Sequence, residues 1–215
     1  MFKVLDPMAK TTKSLMRQEN LRDSLIAAAS RQIEKEGLGS LRARALAMEV
    51  GCAVGAIYNA VADIDELVFA VNERTLAELE QHLEAAVAIA GDPSRSEIAV
   101  DRLTAMAAAY LDFAIENRTL WRAVFEHQVA QGREIPPSYR AAQTRLFGYV
   151  EAPLGVLRPQ ATLAQRTALA RSLFSAVHGM VSLGLDEKLG AVALADLREQ
   201  IAFMTKAMAR GVASA

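Results

Sequence analysis

Residues 46–59, Leu-Ala-Met-Glu-Val-Gly-Cys-Ala-Val-Gly-Ala-Ile-Tyr-Asn, admit few folds. Gly51 stands between two short apolar-periodic stretches, where a turn between crossing helices needs a left-handed backbone that glycine adopts at little cost. Ala45, Ala47, Ala53 and Ala56 are small enough to let the two helices approach closely. The stretch after the turn predicts about two turns of helix over 53–61, with Tyr58 and Asn59 as its main polar side chains. With a helix over 42–50 before it, this is the pattern of a helix-turn-helix whose second helix enters a DNA groove.

The rest of the chain reads as helix too. Apolar residues recur at helical spacing, runs of alternating polarity are missing, and 52% of the 215 residues are hydrophobic, enough for a well-filled core. The expected class is all-α, with an N-terminal three-helix helix-turn-helix domain and a C-terminal helical domain for ligand binding and dimerisation. A net charge of −1 excludes a polycation that coats nucleic acid indiscriminately, so any DNA contact must come from a local patch. Through residue 52 there are nine Lys and Arg against six acids, a modestly basic front end. One cysteine, no apolar leader and no apolar run of about 18 residues predict a cytoplasmic protein with no membrane span. Met8 is a second candidate start besides Met1.

Leu21, Leu25, Ala28, Ala29 and Ile33 describe an amphipathic first helix over 15–36, stopped by Gly37. After the helix-turn-helix, Asp63 can cap a long helix over 64–90, whose positive N-terminal end Asp65 and Glu66 favour. The Gly-Asp-Pro-Ser sequence at 91–94 ends it. A stripe from Leu103 to Ala114 predicts a helix to about Asn117, and a shorter helix holds Trp121, Val124 and Phe125. Beyond a double proline, Ser138 can cap a helix that Pro153 is expected to stop. These elements divide the chain into a basic N-terminal arm at 1–17, a helix-turn-helix domain at 18–66 and an effector-binding and dimerisation domain at 67–215.

Two seams mark the last third. Leu169, Leu173, Ala176, Met180 and Leu183 follow 4-3-4-3 spacing, and Leu194, Leu197, Ile201, Met204 and Met208 follow 3-4-3-4 spacing. Ser172, Ser175, Ala176 and Gly179 line the first with small side chains. Either both stripes fill an intrachain core, or the last two helices pair with their copies in a homodimer; two-fold operators favour the second.

These features identify a resemblance. Residues 22–74 resemble the N-terminal domain of the tetracycline-repressor (TetR) family of ligand-responsive transcription regulators, through Ile26-Ala27-Ala28-Ala29, Glu36-Gly37-Leu38, Arg44-Ala45-Leu46-Ala47, Val50-Gly51, Gly55-Ala56-Ile57-Tyr58-Asn59 and Asp65-Glu66-Leu67. The remainder resembles a C-terminal class of that family named for a Trp-His-Gly motif, which reads Val177-His178-Gly179 here. The resemblance implies that Tyr58 meets a DNA phosphate. Asn59 on the outer face can pair with adenine through its carboxamide, or stay a solvated amide. Ala53, Val54, Gly55 and Ala56 would enter the groove first, offering thymine-methyl contacts and close backbone approach. Arg42 and Arg44 can reach phosphates, surface ion pairing being their alternative. Where relatives carry His-Phe and a phosphate-binding lysine, this chain has Ala60-Val61 and Ile64; Lys10, Lys13 and Arg17 are candidates to compensate as an arm on the DNA.

For the second domain, Met106, Tyr110, Phe113, Trp121, Phe125, Phe147, Phe174 and His178 supply apolar walls with few polar groups, suiting either a small-molecule cavity or plain core. His178 more readily satisfies a neighbouring group than a ligand. His82 and His127 lack metal-ligand spacing, Cys52 lacks basic neighbours that would activate it, and no phosphate loop, nucleophile elbow or carboxylate pair is present, so neither metal, cofactor nor catalysis is expected. The expected function is a DNA-binding regulator, a repressor released from its operator by a small, largely apolar effector. A helical ligand-binding protein or enzyme with a degenerate, non-functional DNA-binding head is the alternative.

Overall fold

The computed structural model describes residues 7–90, 95–129, 132–188 and 190–214, and side chains from residue 15 onward. Among them are nine α-helices: α1 (Pro7–Glu36), α2 (Ala43–Val50), α3 (Val54–Ala60), α4 (Ile64–Ala90), α5 (Ser96–Glu116), α6 (Arg118–Glu126), α7 (Pro137–Leu157), α8 (Leu163–Leu185) and α9 (Leu194–Ser214), with one 3-10 turn at Leu38–Ser40. The chain forms two compact units, one of residues 1–75 and 119–139, the other of residues 76–118 and 140–215. α4 contributes to both, and the units divide the chain differently from a single cut after residue 66.

In the first unit the stripe read from α1 becomes a core. Leu25, Ile26, Ala29 and Ile33 meet Leu46 of α2, Ile57 of α3 and Leu67 and Val71 of α4. Leu25, Ile33, Leu46, Ile57 and Leu67 are fully buried, and removing such side chains from a packed site costs about 2–5 kcal/mol each. Leu120 and Ala123 of α6 join the same cluster although α6 follows α5 in the chain. Asn72, also fully buried on α4, donates from its amide to the Ala123 carbonyl at 3.4 Å. Helix α1 starts at Pro7, eight residues ahead of the expected Leu15, because proline at a first helical position gives up no hydrogen bond and has the right φ already. Lys10 and Lys13 of the expected arm therefore lie on helical backbone, and their side chains lie outside the described residues.

The second unit packs α5 against α8 and α9. From α5 it buries Leu103, Met106, Tyr110, Leu111 and Phe113, and from α8 Ala170, Leu173, Val177, Val181 and Leu185. α9 adds Leu197, Ile201 and Ala209. α8 opens with a capping box: Thr162 accepts the Gln165 N–H, and the Gln165 side chain accepts the Thr162 N–H at 2.8 Å. α8 and α9 approach so closely at Gly184 that a Cβ there would sit 2.7 Å from Leu197.

Two sequence expectations need correcting. Pro153 lies inside α7, which runs on to Leu157; burial of Leu154 and Leu157 holds that last turn together despite the missing backbone donor. Ser138 does not cap α7, since Pro137 begins it and the Ser138 hydroxyl donates to Glu73 at 2.6 Å. α8 is, by length and composition, apolar enough to cross a membrane, with mean hydropathy 1.3 over its most apolar window, of which 22% is buried within the chain.

Candidate nucleic-acid interface and effector site

α2 ends because Gly51 turns left-handed at φ 73° and ψ 37°, which lets the Cys52 N–H reach back to the Ala47 carbonyl at 2.9 Å. The chain then re-enters helix at Val54, with Ala53 extended just before it. Ile57 and Ala60 anchor α3 inward, at 0% and 9% exposure. Helical spacing therefore turns Ala53, Val54, Gly55, Tyr58 and Asn59 outward, all exposed, with Ala56 half-buried at the edge. Tyr58 is 52% exposed, so its hydroxyl stands in solvent. Ala60, Val61 and the half-buried Ile64 serve the head's core, which accounts for their apolar character.

The two arginines ahead of the turn differ. Arg44 is exposed on α2. Arg42 precedes α2 in extended conformation, and one of its Nη atoms donates to the carbonyls of Gly39 and Leu41, each at 2.8 Å, so its guanidinium is folded onto the turn before the helix. Arg31 of α1 holds Glu49 of α2 at 2.8 Å, fixing the angle at which α2 leaves.

The cap expected at Asp63, together with partners that sequence reading missed, fixes the far end of α3. Asp63 accepts the Glu66 N–H at 2.9 Å, capping α4, and Glu66 in turn accepts the Ala62 N–H at 2.7 Å and pairs with Arg22 at 3.0 Å. Arg133 pairs with Asp63, stands 3.8 Å from Asp65 and lies 5.8 Å over the Phe69 ring. The hydrogen bond from Arg133 holds the Asp63 carboxyl below its ordinary range. His127 reaches Asp65 at 3.3 Å and meets Phe69 edge-on at 4.8 Å. The start of α4, directly after the exposed helix, is thus gripped by Arg22 of α1 and by His127 and Arg133. No local pattern announces this, because the partners lie 62 and 70 residues apart.

Of the eight residues expected around an effector, the second unit brings four together. The Tyr110 hydroxyl and His178 Nδ1 are hydrogen-bonded at 2.8 Å. Phe174 stacks on the His178 ring at 5.7 Å, meets Tyr110 edge-on at 5.6 Å and meets Phe147 at the same distance. Burial pushes the His178 pKa down, favouring a neutral imidazole. Phe174, His178 and Phe147 are half-buried, whereas Tyr110 is nearly covered. Met106 and Phe113 are core, Phe113 facing His82 at 5.1 Å. Trp121 and Phe125 pair edge-on at 5.7 Å in the first unit.

Residues 103–208 match the family model described as tetracyclin repressor-like, C-terminal domain. In the chain this domain comes after the helix-turn-helix head. This part of the chain is thus similar to the tetracycline-repressor (TetR) family. No curated protein matches the chain. Among solved structures, a Rhodococcus sp. RHA1 protein of unknown function is similar at 24% identity and TM-score 0.70, covering 89% of this chain and 94% of that one. RolR in complex with resorcinol is similar at 17% identity and TM-score 0.62, with 93% and 95% covered. The TetR family regulator PfmR from Thermus thermophilus follows at 18% identity and TM-score 0.56, with 86% and 97% covered. At these identities the likeness is one of fold.

Proposed function

We propose that the chain is a homodimeric regulator that binds an operator through α2 and α3 and acts as a repressor, released when a small, largely apolar effector binds its second unit. The observation that carries this is the division of α3: Ile57 and Ala60 are buried, while Ala53, Val54, Gly55, Tyr58 and Asn59 form an outer face of small side chains ending in two polar ones. Such a face lets helix backbone approach base edges closely, with Tyr58 donating to a phosphate and Asn59 pairing with adenine. Arg44 supplies a phosphate contact. Arg42 fixes the turn and reaches DNA only by releasing its two carbonyls.

The aromatic group around Phe174, with its Tyr110–His178 pair, is the effector site in this reading. Support comes from the resorcinol that RolR holds within the same fold. A ligand preferring one arrangement of the recognition helices shifts the population away from the DNA-competent one, so effector and operator weaken each other's binding by the same factor. The Val177-His178-Gly179 sequence supports the Trp-His-Gly class as the finer assignment.

A second copy is the proposed cover for α8 and α9. Leu163, Leu183, Leu194, Phe203 and Met204 are exposed at 42–70%, and Ser172, Ser175, Ala176 and Gly179 leave room for a partner helix. The apolar character of α8 follows from being covered on two sides rather than from a bilayer.

The test is a gel shift with DNA from upstream of the chain's own coding sequence, repeated with Tyr58→Phe and Asn59→Ala. Binding that the variants weaken or relax supports the reading. Absence of any shift at low salt would favour instead a ligand-binding protein with a non-functional head.

A further inference from the structure

We infer that the first turns of α1 form a second, helical DNA contact that grips phosphates beside the site α3 reads. This rests on the reading that the head binds DNA. Gln18 on α1 donates from its side-chain amide to the main-chain carbonyl of Asn59, in the last turn of α3. That hydrogen bond brings the N-terminal part of α1 to the end of α3 where cationic help is missing: Ala60 and Val61 are buried, Ile64 is half-buried, and Asp63 and Asp65 add negative charge held by Arg133 and His127. Arg17, next to Gln18, is exposed and pairs with no acid among the described residues. Residues 15–20 are all exposed, Leu15 at 55% and Met16 at 60%, so the core of the head gives this part of the helix no packing.

The helix continues back to Pro7, and from residue 7 to residue 18 its only charged residues are Lys10, Lys13 and Arg17. Their spacing of three and four places them at register positions of one stripe, spanning about 10 Å of helix axis, close to the ~12 Å width of a major groove. A short helical stretch without tertiary packing gains little by itself. Laid along a phosphate backbone it gains charge neutralisation and counterion release. The contact carries no base information, so it raises affinity for every sequence alike.

The experiment measures binding of the full-length protein by fluorescence anisotropy across a salt series. The probes are the upstream duplex and a scrambled duplex of equal length, and wild type is compared with Lys10→Gln/Lys13→Gln/Arg17→Gln. Three lost phosphate contacts per protomer, six in the proposed dimer, flatten the salt slope by about 5.4, so that raising salt from about 50 to about 200 mM costs wild type on the order of 2,000-fold more affinity than the variant. The loss should be equal on both duplexes. Wild-type binding with an unchanged slope in the variant overturns this inference and leaves the proposed function intact; no wild-type binding to either duplex at low salt overturns both. Thr12→Pro keeps every charge and breaks the helix. Weakened binding supports a helical contact, and unchanged binding overturns its helical form.

Discussion

Helices α3 and α8 both turn small and apolar side chains outward, and their difference lies in how each is held from behind. α3 has seven residues and two inward anchors, Ile57 and Ala60, set in a core built from four other helices. Its outer face is small and ends in Tyr58 and Asn59. α8 has 23 residues, its inner face packs on α5 and α9, and Leu163, Ala164, Ala168 and Leu183 stay exposed. Small residues on a short, firmly seated helix suit close approach to a polar, charged partner such as DNA. The same residues on a long helix with leucines at its flanks suit another apolar helix. The inner and outer faces of each helix can therefore be broken separately.

The largest loss is expected from the inner face of α3. Ile57→Ala should lower stability by about 2–5 kcal/mol in urea unfolding, because the fully buried site is enclosed by the head's core. Val54→Ala on the outer face should leave stability unchanged within about 0.5 kcal/mol. Equal losses would mean that α3 has no distinct outer face. Next comes the outer face of α8. A side chain at Gly179 meets nothing within 4 Å, so Gly179→Trp should fold but convert dimers to monomers by light scattering, at a cost of about 3 kcal/mol in association. A dimer of unchanged strength would remove this face from the interface. The inner face of α8 should respond differently: Gly184→Ala drives a Cβ against the buried Leu197 and should lower the stability of the second unit by about 1–3 kcal/mol while leaving the mass unchanged.

The outer face of α3 should give a smaller change, visible only with DNA. Tyr58→Phe deletes an exposed hydroxyl, so thermal unfolding should not move while operator affinity falls about 5-fold per protomer, the worth of roughly one hydrogen bond each. A shift in stability of similar size would show that the hydroxyl serves the head rather than the DNA.

How much of this was readable beforehand depended on the range of the interaction. Gly51, the stripe on α1 and the cap at Asp63 are decided by neighbours a few residues away, and each stood in the sequence as the structure has it. The Thr162 cap of α8 was equally local, a Thr followed three residues later by Gln, and could have been found. Pro153 misled because burial of Leu154 and Leu157 outweighs a missing backbone donor, which local propensity does not register. The placement of Leu120 and Ala123 in the head's core, and of Arg133 and His127 on the start of α4, depends on partners far away along the chain. The eight-residue effector set mixed two kinds of position for the same reason: Trp121 and Phe125 share the apolar chemistry of Phe174 but not its unit.

The smallest effect concerns His178, the titratable member of the aromatic group in the second unit. Burial lowers its folded pKa below the ordinary 6.5, while in the unfolded chain it titrates normally. Between the two values the unfolded chain therefore binds more protons than the folded one, and stability rises with pH across that window. On acidification from about pH 6.5 the folded protein should lose stability until His178 itself becomes protonated. Protonation also makes Nδ1 a donor, so that the Tyr110 hydroxyl can only accept there. His178→Asn should flatten this part of the stability profile relative to wild type. Tyr58→Phe should leave it untouched, because Tyr58 lies on the outer face of α3 in the other unit. An unchanged slope in His178→Asn would assign the pH dependence to other groups and leave His178 a packing residue.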